Sequence, residues 1–146
     1  MSIQLATSND LEWVNKQYDA IGFVRSDLNR DMVAIITYDN AYAGVGRLVQ
    51  IDEGTIEMGG IFILPKFRGL QLARKLVSFL VQTAKALEIQ SVFCIPFEEL
   101  ESFYKTYGFI EVDMKKEVVH PIILKKYNWC LENYDKHVLL FKLTVL

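Results

Sequence analysis

The spacing of apolar and polar residues predicts alternating strands and helices. Three segments rich in β-branched residues, Met32–Thr37, Tyr42–Ile51 and Thr55–Leu64, are separated by short polar stretches. The residues between them, Tyr38-Asp39-Asn40-Ala41 and Asp52-Glu53-Gly54, are typical of tight turns. Two consecutive hairpins therefore form an antiparallel meander. Within it, we interpret Gly44 and Gly46 as sites of close packing or of a bulge.

A helix is expected directly after the third strand. Its apolar positions recur at helical spacing, at Leu72, Leu76, Leu80, Ala84 and Leu87. The other face is polar, with Arg74, Lys75, Ser78, Gln82 and Lys85. The short apolar run Ser91–Ile95 is then predicted to pair parallel to the third strand, because the connection between them passes through a helix.

The N-terminal part of the chain predicts one strand and one helix. Ile3–Ala6 is a candidate first strand, and Asn9 with Glu12 is typical of a capping box. The helix that follows is expected to end near Ile21-Gly22. Phe23–Arg30 is polar and irregular, so it is either a loop or a second, loose helix.

The C-terminal part adds two helices and two strands. Pro96 opens a helix over Phe97–Tyr107 that Gly108 terminates. Phe109–Val112 is a strand, Val119–Tyr134 a helix and His137–Leu146 the last strand. The chain is thus predicted to be one α/β (α+β) domain, residues 1–146. Its central sheet is mixed, mostly antiparallel, with about six to seven strands, and is flanked by helices.

Composition excludes several classes of function. The chain has 146 residues, a formal net charge of −2 and 51% hydrophobic residues, a balance that argues against nucleic acid as the main partner. No apolar run is long enough for a membrane span, and no secretory leader is expected. Its two cysteines and two histidines indicate no disulfide framework and no metal site. A cytoplasmic protein is expected, and its oligomeric state, a homodimer included, is left open.

The stretch between the third strand and the central helix predicts an anion site. A helix that starts after a tight turn directs its first backbone N–H groups, and the positive end of its dipole, into that turn. Lys66, Arg68 and Arg74 add full positive charges. The alternative is an ordinary strand–helix junction with a solvated basic rim.

Two motifs identify a family. Arg68-Gly69-Leu70-Gln71-Leu72-Ala73 resembles the acyl-CoA signature Arg/Gln-x-x-Gly-x-Gly/Ala of the GNAT superfamily of N-acyltransferases, with Gln71 in place of the middle glycine. Phe103-Tyr104-Lys105-Thr106-Tyr107-Gly108-Phe109 resembles the family's second signature, Phe-Tyr-x-x-x-Gly-Phe. The two signatures occur in the family's order, separated by one strand.

The resemblance implies a sheet splayed between its fourth and fifth strands, with acetyl-CoA as co-substrate and no metal. Gly59 and Gly60 favour a bulge at that point. By resemblance, the CoA-binding residues are Ile61, Phe62, Ile63, Arg68, Gly69, Leu70, Gln71, Leu72, Ala73 and Arg74, with the backbone of Ile61 and Ile63 on the pantetheine arm. Candidates for the acceptor pocket are Trp13, Tyr18, Phe23, Ser26 and Trp129, each of which is alternatively a core or surface residue.

The resemblance also suggests the catalytic groups. Tyr104 is the candidate general acid for the CoA thiolate, since a phenol is protonated at neutral pH; the alternative is a helix tyrosine that packs on the sheet, or Tyr107 in its place. Glu57 is the candidate base, acting through water, or else a solvated carboxylate at a strand end. Cys94 and Cys130 have no histidine nearby in sequence to activate them, so direct transfer in a ternary complex is preferred.

The sequence therefore favours an N-acetyltransferase that acts on a primary amine of a small molecule. A protein lysine or N-terminus is the second choice of acceptor. A non-catalytic CoA-binding or regulatory module of the same fold is the competing class. A weaker alternative is a partner domain that uses a sheet edge formed by the last strand.

Overall fold

The computed structural model describes residues 1–145, which form one seven-stranded sheet and four α-helices. The strands are β1 (Ser2–Leu5), β2 (Asp31–Tyr38), β3 (Ala41–Gln50), β4 (Thr55–Ile63), β5 (Ser91–Cys94), β6 (Ile110–Glu111) and β7 (Phe141–Thr144). The helices are α1 (Leu11–Ala20), α2 (Leu72–Ala86), α3 (Glu101–Lys105) and α4 (Pro121–Asn133). Two short 3-10 turns, Pro65–Phe67 and Glu98–Leu100, precede α2 and α3.

The strand order is β1-β2-β3-β4-β5-β7-β6, with β4 and β5 parallel and the other recorded pairings antiparallel. The predicted fold class is confirmed, and so is the splay between the fourth and fifth strands. Within the described residues, β5 pairs only with Thr55–Glu57 at the start of β4. The chain divides into two compact units: residues 1–50 with 58–83, and residues 51–57 with the chain from Ala84 onward.

In the first unit, the β2–β3 hairpin contributes most of the buried cluster. Asp39 and Asn40 both have positive φ, 53° and 61°, as the predicted two-residue turn requires. The pairing skips Ala43 between Ile36↔Gly44 and Thr37↔Tyr42, which is a β-bulge. On one face, side chains of α1, β2 and β3 pack into a cluster formed by Val14, Tyr18, Val33, Ile35 and Val45.

Gly44 and Gly46 are sites of close packing between β3 and its neighbours, one of the two interpretations given to them. A Cβ on Gly46 would lie 2.7 Å from Cδ1 of Ile61 and 3.1 Å from Cδ1 of Leu80. A Cβ on Gly44 would lie 2.5 Å from Cδ1 of Ile63. The two glycines therefore make room for the side chains of the β4 end.

The second unit packs α4 against β5 and the chain before β7. Phe93, Val119, Ile123 and Leu140 form its buried cluster. β7 pairs with β5 on one side and β6 on the other, so the expectation that the last strand forms a sheet edge is wrong. β7 is also shorter than His137–Leu146: residues 137–140 precede the strand, with Val138 bridging to Phe97, and Leu146 lies outside the described residues.

Several element ends differ from expectation. The prediction of a capping box at Asn9 and Glu12 is wrong, because Asp10 is the N-cap of α1. The Asp10 carboxylate accepts hydrogen bonds from Thr7 N–H (2.9 Å) and Tyr42 Oη–H (2.6 Å), not from the helix. Leu87 lies beyond α2 and is exposed, unlike the four apolar positions before it. The helix expected over Phe97–Tyr107 is a 3-10 turn followed by only five α-helical residues. Phe23–Arg30 is a loop. Among the described helices, none is long and apolar enough to cross a membrane.

Candidate active site

The end of β4 changes direction at Gly60. Gly60 has a φ of +61°, the left-handed region that glycine adopts without strain. Its carbonyl accepts a hydrogen bond of 2.8 Å from the hydroxyl of Tyr18. A Cβ at this position would lie 2.6 Å from that hydroxyl oxygen, so only glycine fits. The irregular backbone at the glycine pair is therefore centred on Gly60.

Beyond Gly60, the backbone of Ile61 and Ile63 is directed away from β3. The Leu64 N–H donates to the Ala43 carbonyl (2.9 Å), and successive residues of a strand direct their polar groups to opposite edges. The carbonyl of Ile63 accepts from Nε of Arg68 at 3.1 Å, which agrees with this alternation. The backbone groups of Ile61 and Ile63 thus form the free edge of β4. Arg68 binds the carbonyl at the end of this edge.

The basic turn, which we define as residues 64–71, leads from β4 into α2. Gly69 has a φ of +84° and Gln71 a φ of +65°. Nothing lies within 4 Å of a Cβ built on Gly69, so its backbone conformation alone calls for glycine there. Gln71 adopts the same left-handed region without being glycine. The replaced glycine of the motif thus leaves the turn's shape intact, at a cost in strain.

The basic turn carries the predicted positive charge. Lys66 Nζ lies 5.4 Å from the centre of the Phe67 ring, and the Arg68 guanidinium lies 5.8 Å from that of Phe62. Arg74 is exposed in the first turn of α2. Together with the first N–H groups of α2, these cations give the basic turn the positive character that the sequence predicts.

In the second unit, Tyr104 is buried, 7% exposed, between aromatic neighbours. Its ring meets Phe103 and Phe109 edge-on, with centroids 5.1 and 5.9 Å away. Burial raises the pKa of Tyr104 well above that of a free phenol, and nearby Cys94 and Tyr107 raise it further. Its hydroxyl therefore stays protonated at neutral pH, so it can donate a hydrogen bond or act as an acid.

Glu57 is not a solvated strand-end carboxylate. Its side chain is 7% exposed and forms a short ion pair with Nζ of Lys126 on α4. Sequence reasoning missed Lys126, because 69 residues separate the partners and the intervening elements must fold before they meet.

Cys94 and Cys130 are both free and buried, as expected of a chain with no disulfide framework. Burial raises the pKa of each thiol, that of Cys94 well above its usual value. Since the thiolate is the nucleophile, neither cysteine is set up for covalent catalysis. Among the described residues, no group of three or more histidine, cysteine or acidic side chains is placed to hold a metal ion.

Comparison with known proteins identifies the family. A family model described as the acetyltransferase (GNAT) family matches residues 4–109, more than half of the chain. The chain belongs to the GNAT acetyltransferase family. Both signature motifs lie within the matched residues. No curated protein matches the sequence.

Several solved structures share the fold at low sequence identity. Rv2747 from Mycobacterium tuberculosis, in complex with CoA and NLQ, has a TM-score of 0.76 at 17% identity, and the match covers 100% of both chains. A GNAT acetyltransferase from Elizabethkingia anophelis with acetyl-CoA bound has a TM-score of 0.66 at 19% identity, covering 98% of this chain and 97% of that one. N-acetylglutamate synthase from Neisseria gonorrhoeae, complexed with coenzyme A and N-acetyl-glutamate, has a TM-score of 0.68 at 15% identity, covering 95% of this chain and 34% of that one.

The acceptor-pocket candidates of this GNAT chain fall into two groups. Trp13, Tyr18 and Phe23 pack in one cluster of the first unit, with Tyr18 fully buried and Phe23 stacked on it at 6.1 Å. Ser26 is buried in the same unit. Trp129 lies on α4 in the second unit, half-exposed, with its ring edge-on to Tyr134 at 5.7 Å.

Sequence reasoning also missed Arg47. It lies in β3, only 6% exposed, and its guanidinium stacks on the Tyr18 ring at 4.2 Å. No motif marks this position, and an arginine among strand residues is ordinarily assigned to the solvated face.

Proposed function

We propose that the chain transfers an acetyl group from acetyl-CoA to a primary amine of a small molecule, by direct transfer in a ternary complex. The observation that carries the proposal is the path of the backbone from Gly60 through the basic turn. It combines a strand edge at Ile61 and Ile63 with an anion-binding turn at the start of α2. A peptide-like arm that ends in phosphates, as CoA does, matches this combination, and family membership supplies the reaction class.

CoA would contact the residues around this path. Ile61 and Ile63 offer main-chain groups to the pantetheine arm, with Phe62 between them. The pyrophosphate would lie against the turn and the first turn of α2, formed by Arg68, Gly69, Leu70, Gln71, Leu72, Ala73 and Arg74. Bound acetyl-CoA supplies the activated thioester, and orienting it beside the amine is worth roughly 7–11 kcal/mol of the barrier.

Tyr104 is the proposed acid. The amine nitrogen forms a bond to the carbonyl carbon, the C–S bond breaks, and the sulfur carries the leaving electron pair. Tyr104 donates a hydrogen bond to that sulfur. Because burial raises the pKa of Tyr104, stabilising the thiolate by this hydrogen bond is favoured over complete proton transfer.

Glu57 is the proposed base, acting through water on the proton that the amine loses. The ammonium of Lys126 competes for the same carboxylate. This pairing favours the alternative, a non-catalytic CoA-binding module, more than any other feature of the site. A protein lysine or N-terminus is the second choice of acceptor. We also propose that the protein forms a homodimer and that it is located in the cytoplasm. Two free cysteines support the cytoplasmic location.

The test combines acetyl-CoA binding by calorimetry with thiol release against a panel of amines and lysine peptides. Tyr104→Phe is expected to lower kcat by roughly 100-fold or more at unchanged acetyl-CoA affinity. Tyr107→Phe, on the same stretch of chain, is the matched control and is expected to keep turnover.

The outcomes separate the alternatives. Binding with thiol release on a small amine supports the proposal, and release on peptides alone moves the acceptor to a protein. Binding with no release on any acceptor supports the regulatory module. Loss of turnover in Tyr107→Phe instead of Tyr104→Phe would overturn the assignment of the acid. Sedimentation of the same protein measures its oligomeric state.

A further inference from the structure

Arg47 is held inside the first unit by its neighbours. Both of its hydrogen bonds use Nη1, which donates to the Val24 carbonyl and to Oγ of Ser26, each at 2.8 Å. The guanidinium plane stacks on the ring of Tyr18. The side chain thus has one fixed orientation, with Nη1 of its guanidinium hydrogen-bonded to the loop that follows α1.

Among residues 1–145, Arg47 forms no direct ion pair with a carboxylate. The ion pairs of this part of the fold join Arg30 to Asp31 at 2.9 Å and Arg25 to Asp19 at 3.3 Å, and none includes Arg47. Asp31 is linked to Arg47 through the Ser26 hydroxyl but is already paired with Arg30. Tyr18 does not supply the missing anion, because burial raises its pKa despite the arginine beside it.

Asp27 also acts electrostatically on Arg30, so the two negative charges of this region, Asp27 and Asp31, are both placed against Arg30, and Arg47 has no carboxylate in direct contact. A buried cation without a counter-charge is costly, and such groups are normally paired or bind an anion. The Asn15 side chain, which holds both the N–H and the carbonyl of Ser26, is neutral and does not change the balance.

The unused edge of the guanidinium keeps access to solvent. Nε and Nη2 make no hydrogen bond within the described chain, and every fully buried side-chain nitrogen or oxygen there has a partner. The Nε–Nη2 edge therefore still touches water. Two parallel N–H donors of this kind match a carboxylate.

This edge lies beside the start of the proposed pantetheine strand. Nε of Arg47 is 3.0 Å from where a Cβ on Gly60 would stand, and Gly60 directly precedes Ile61. A small molecule bound through Arg47 would thus have its other end next to the β4 backbone.

We propose that Arg47 binds a carboxylate of the acceptor, so that the acetylated amine belongs to an amino acid. This inference rests on the proposed function and names its substrate class. Arg47 is a specificity residue, and its Nε–Nη2 edge pairs with the carboxylate while the amine attacks the thioester.

The first test uses the unmodified protein. Thiol release is measured with each common amino acid and with its carboxamide, which keeps the amine and side chain and lacks the negative charge. We expect kcat/KM for the best amino acid to exceed that for its carboxamide by roughly 10- to 100-fold. Equal values would overturn the role of Arg47 while leaving acetyl transfer intact.

The second test uses variants. Arg47→Gln is expected to raise KM for the amino acid and to leave KM for acetyl-CoA unchanged, and Arg47→Lys, which keeps the charge but not the planar fork, to lie between. Arg25→Gln, mostly exposed and in the loop to which Arg47 is hydrogen-bonded, is the control and should match the parent protein. An Arg47→Gln variant with unchanged discrimination between amino acid and carboxamide would overturn the proposal.

Calorimetry on the parent protein saturated with CoA keeps the two proposals separable. If no amine releases thiol, the proposed function fails, yet amino acids should still bind more tightly than their carboxamides. Equal or absent binding of both would overturn the carboxylate site as well.

Discussion

Gln71 shows how much one residue decides about the basic turn. At its φ of +65°, the Cβ of a non-glycine residue comes too close to the following carbonyl oxygen. This strain costs about 1–2 kcal/mol of folding free energy. The family signature has glycine at this position, and the structure explains why: the turn needs a left-handed residue just before α2. This chain tolerates the strain and keeps the shape.

We therefore expect Gln71→Gly to stabilise the fold. The gain should be below about 1 kcal/mol, because glycine also adds freedom to the unfolded chain. Acetyl-CoA affinity should not fall. Urea unfolding followed by circular dichroism measures the change.

Gln71→Ala is the matched control, since it removes the side chain but retains the strained Cβ. Both variants lose the amide side chain, so their difference isolates the backbone. A Gln71→Gly protein less stable than Gln71→Ala would contradict the explanation.

Among the elements, β3 and β4 depend on each other through two glycines. Gly44 and Gly46 leave no room for a Cβ, because Ile63 and Ile61 of β4 fill that space. The same β4 residues offer the backbone edge proposed for pantetheine. The packing of an inner strand thus holds the site's backbone in place.

Gly46→Ala is expected to destabilise the protein by about 1–3 kcal/mol, because the added methyl group overpacks a buried contact with Ile61 and Leu80. Where the protein remains folded, acetyl-CoA affinity should fall as β4 is displaced. Ser78→Ala, on the exposed face of α2, is the control and should change neither. Unchanged stability in Gly46→Ala would show that β4 can shift freely.

At the scale of the whole molecule, buried acids set the response to alkaline pH. Burial raises the pKa of Tyr18, Tyr104 and Cys94 above their usual values of 10, 10 and 9. The folded chain keeps these protons at a pH where the unfolded chain releases them. The stability they contribute is complete below pH 9 and is lost as the pH rises through that range and beyond.

Urea unfolding at pH 7.5, 9 and 10 should therefore give a free energy of unfolding that falls steadily above pH 9. Tyr104→Phe should make the fall shallower, since it removes one of the three groups. A free energy of unfolding that is flat from pH 7.5 to 10 would contradict this account.

The sequence by itself determined the elements, the turn and the family. Hydrophobic periodicity is a local property, so β2, β3, β4 and α2 were predicted within a residue or two at most ends. Glycine, proline and turn residues act over two to four positions, which is why the Asp39-Asn40 hairpin was predicted correctly. The two signature motifs are equally local, and they identified the GNAT family.

Tertiary structure alone decided which distant residues meet. Asp10 is the N-cap of α1, but its carboxylate does not bond to the N–H groups of the helix. It accepts a hydrogen bond from Tyr42 instead, 32 residues away. Lys126 meets Glu57 only once α4 has packed, and Arg47 becomes an unpaired buried cation only when the loop after α1 covers it. Charge, burial and the partners of a side chain depend on contacts between elements, and the order of residues along one strand or helix does not contain them.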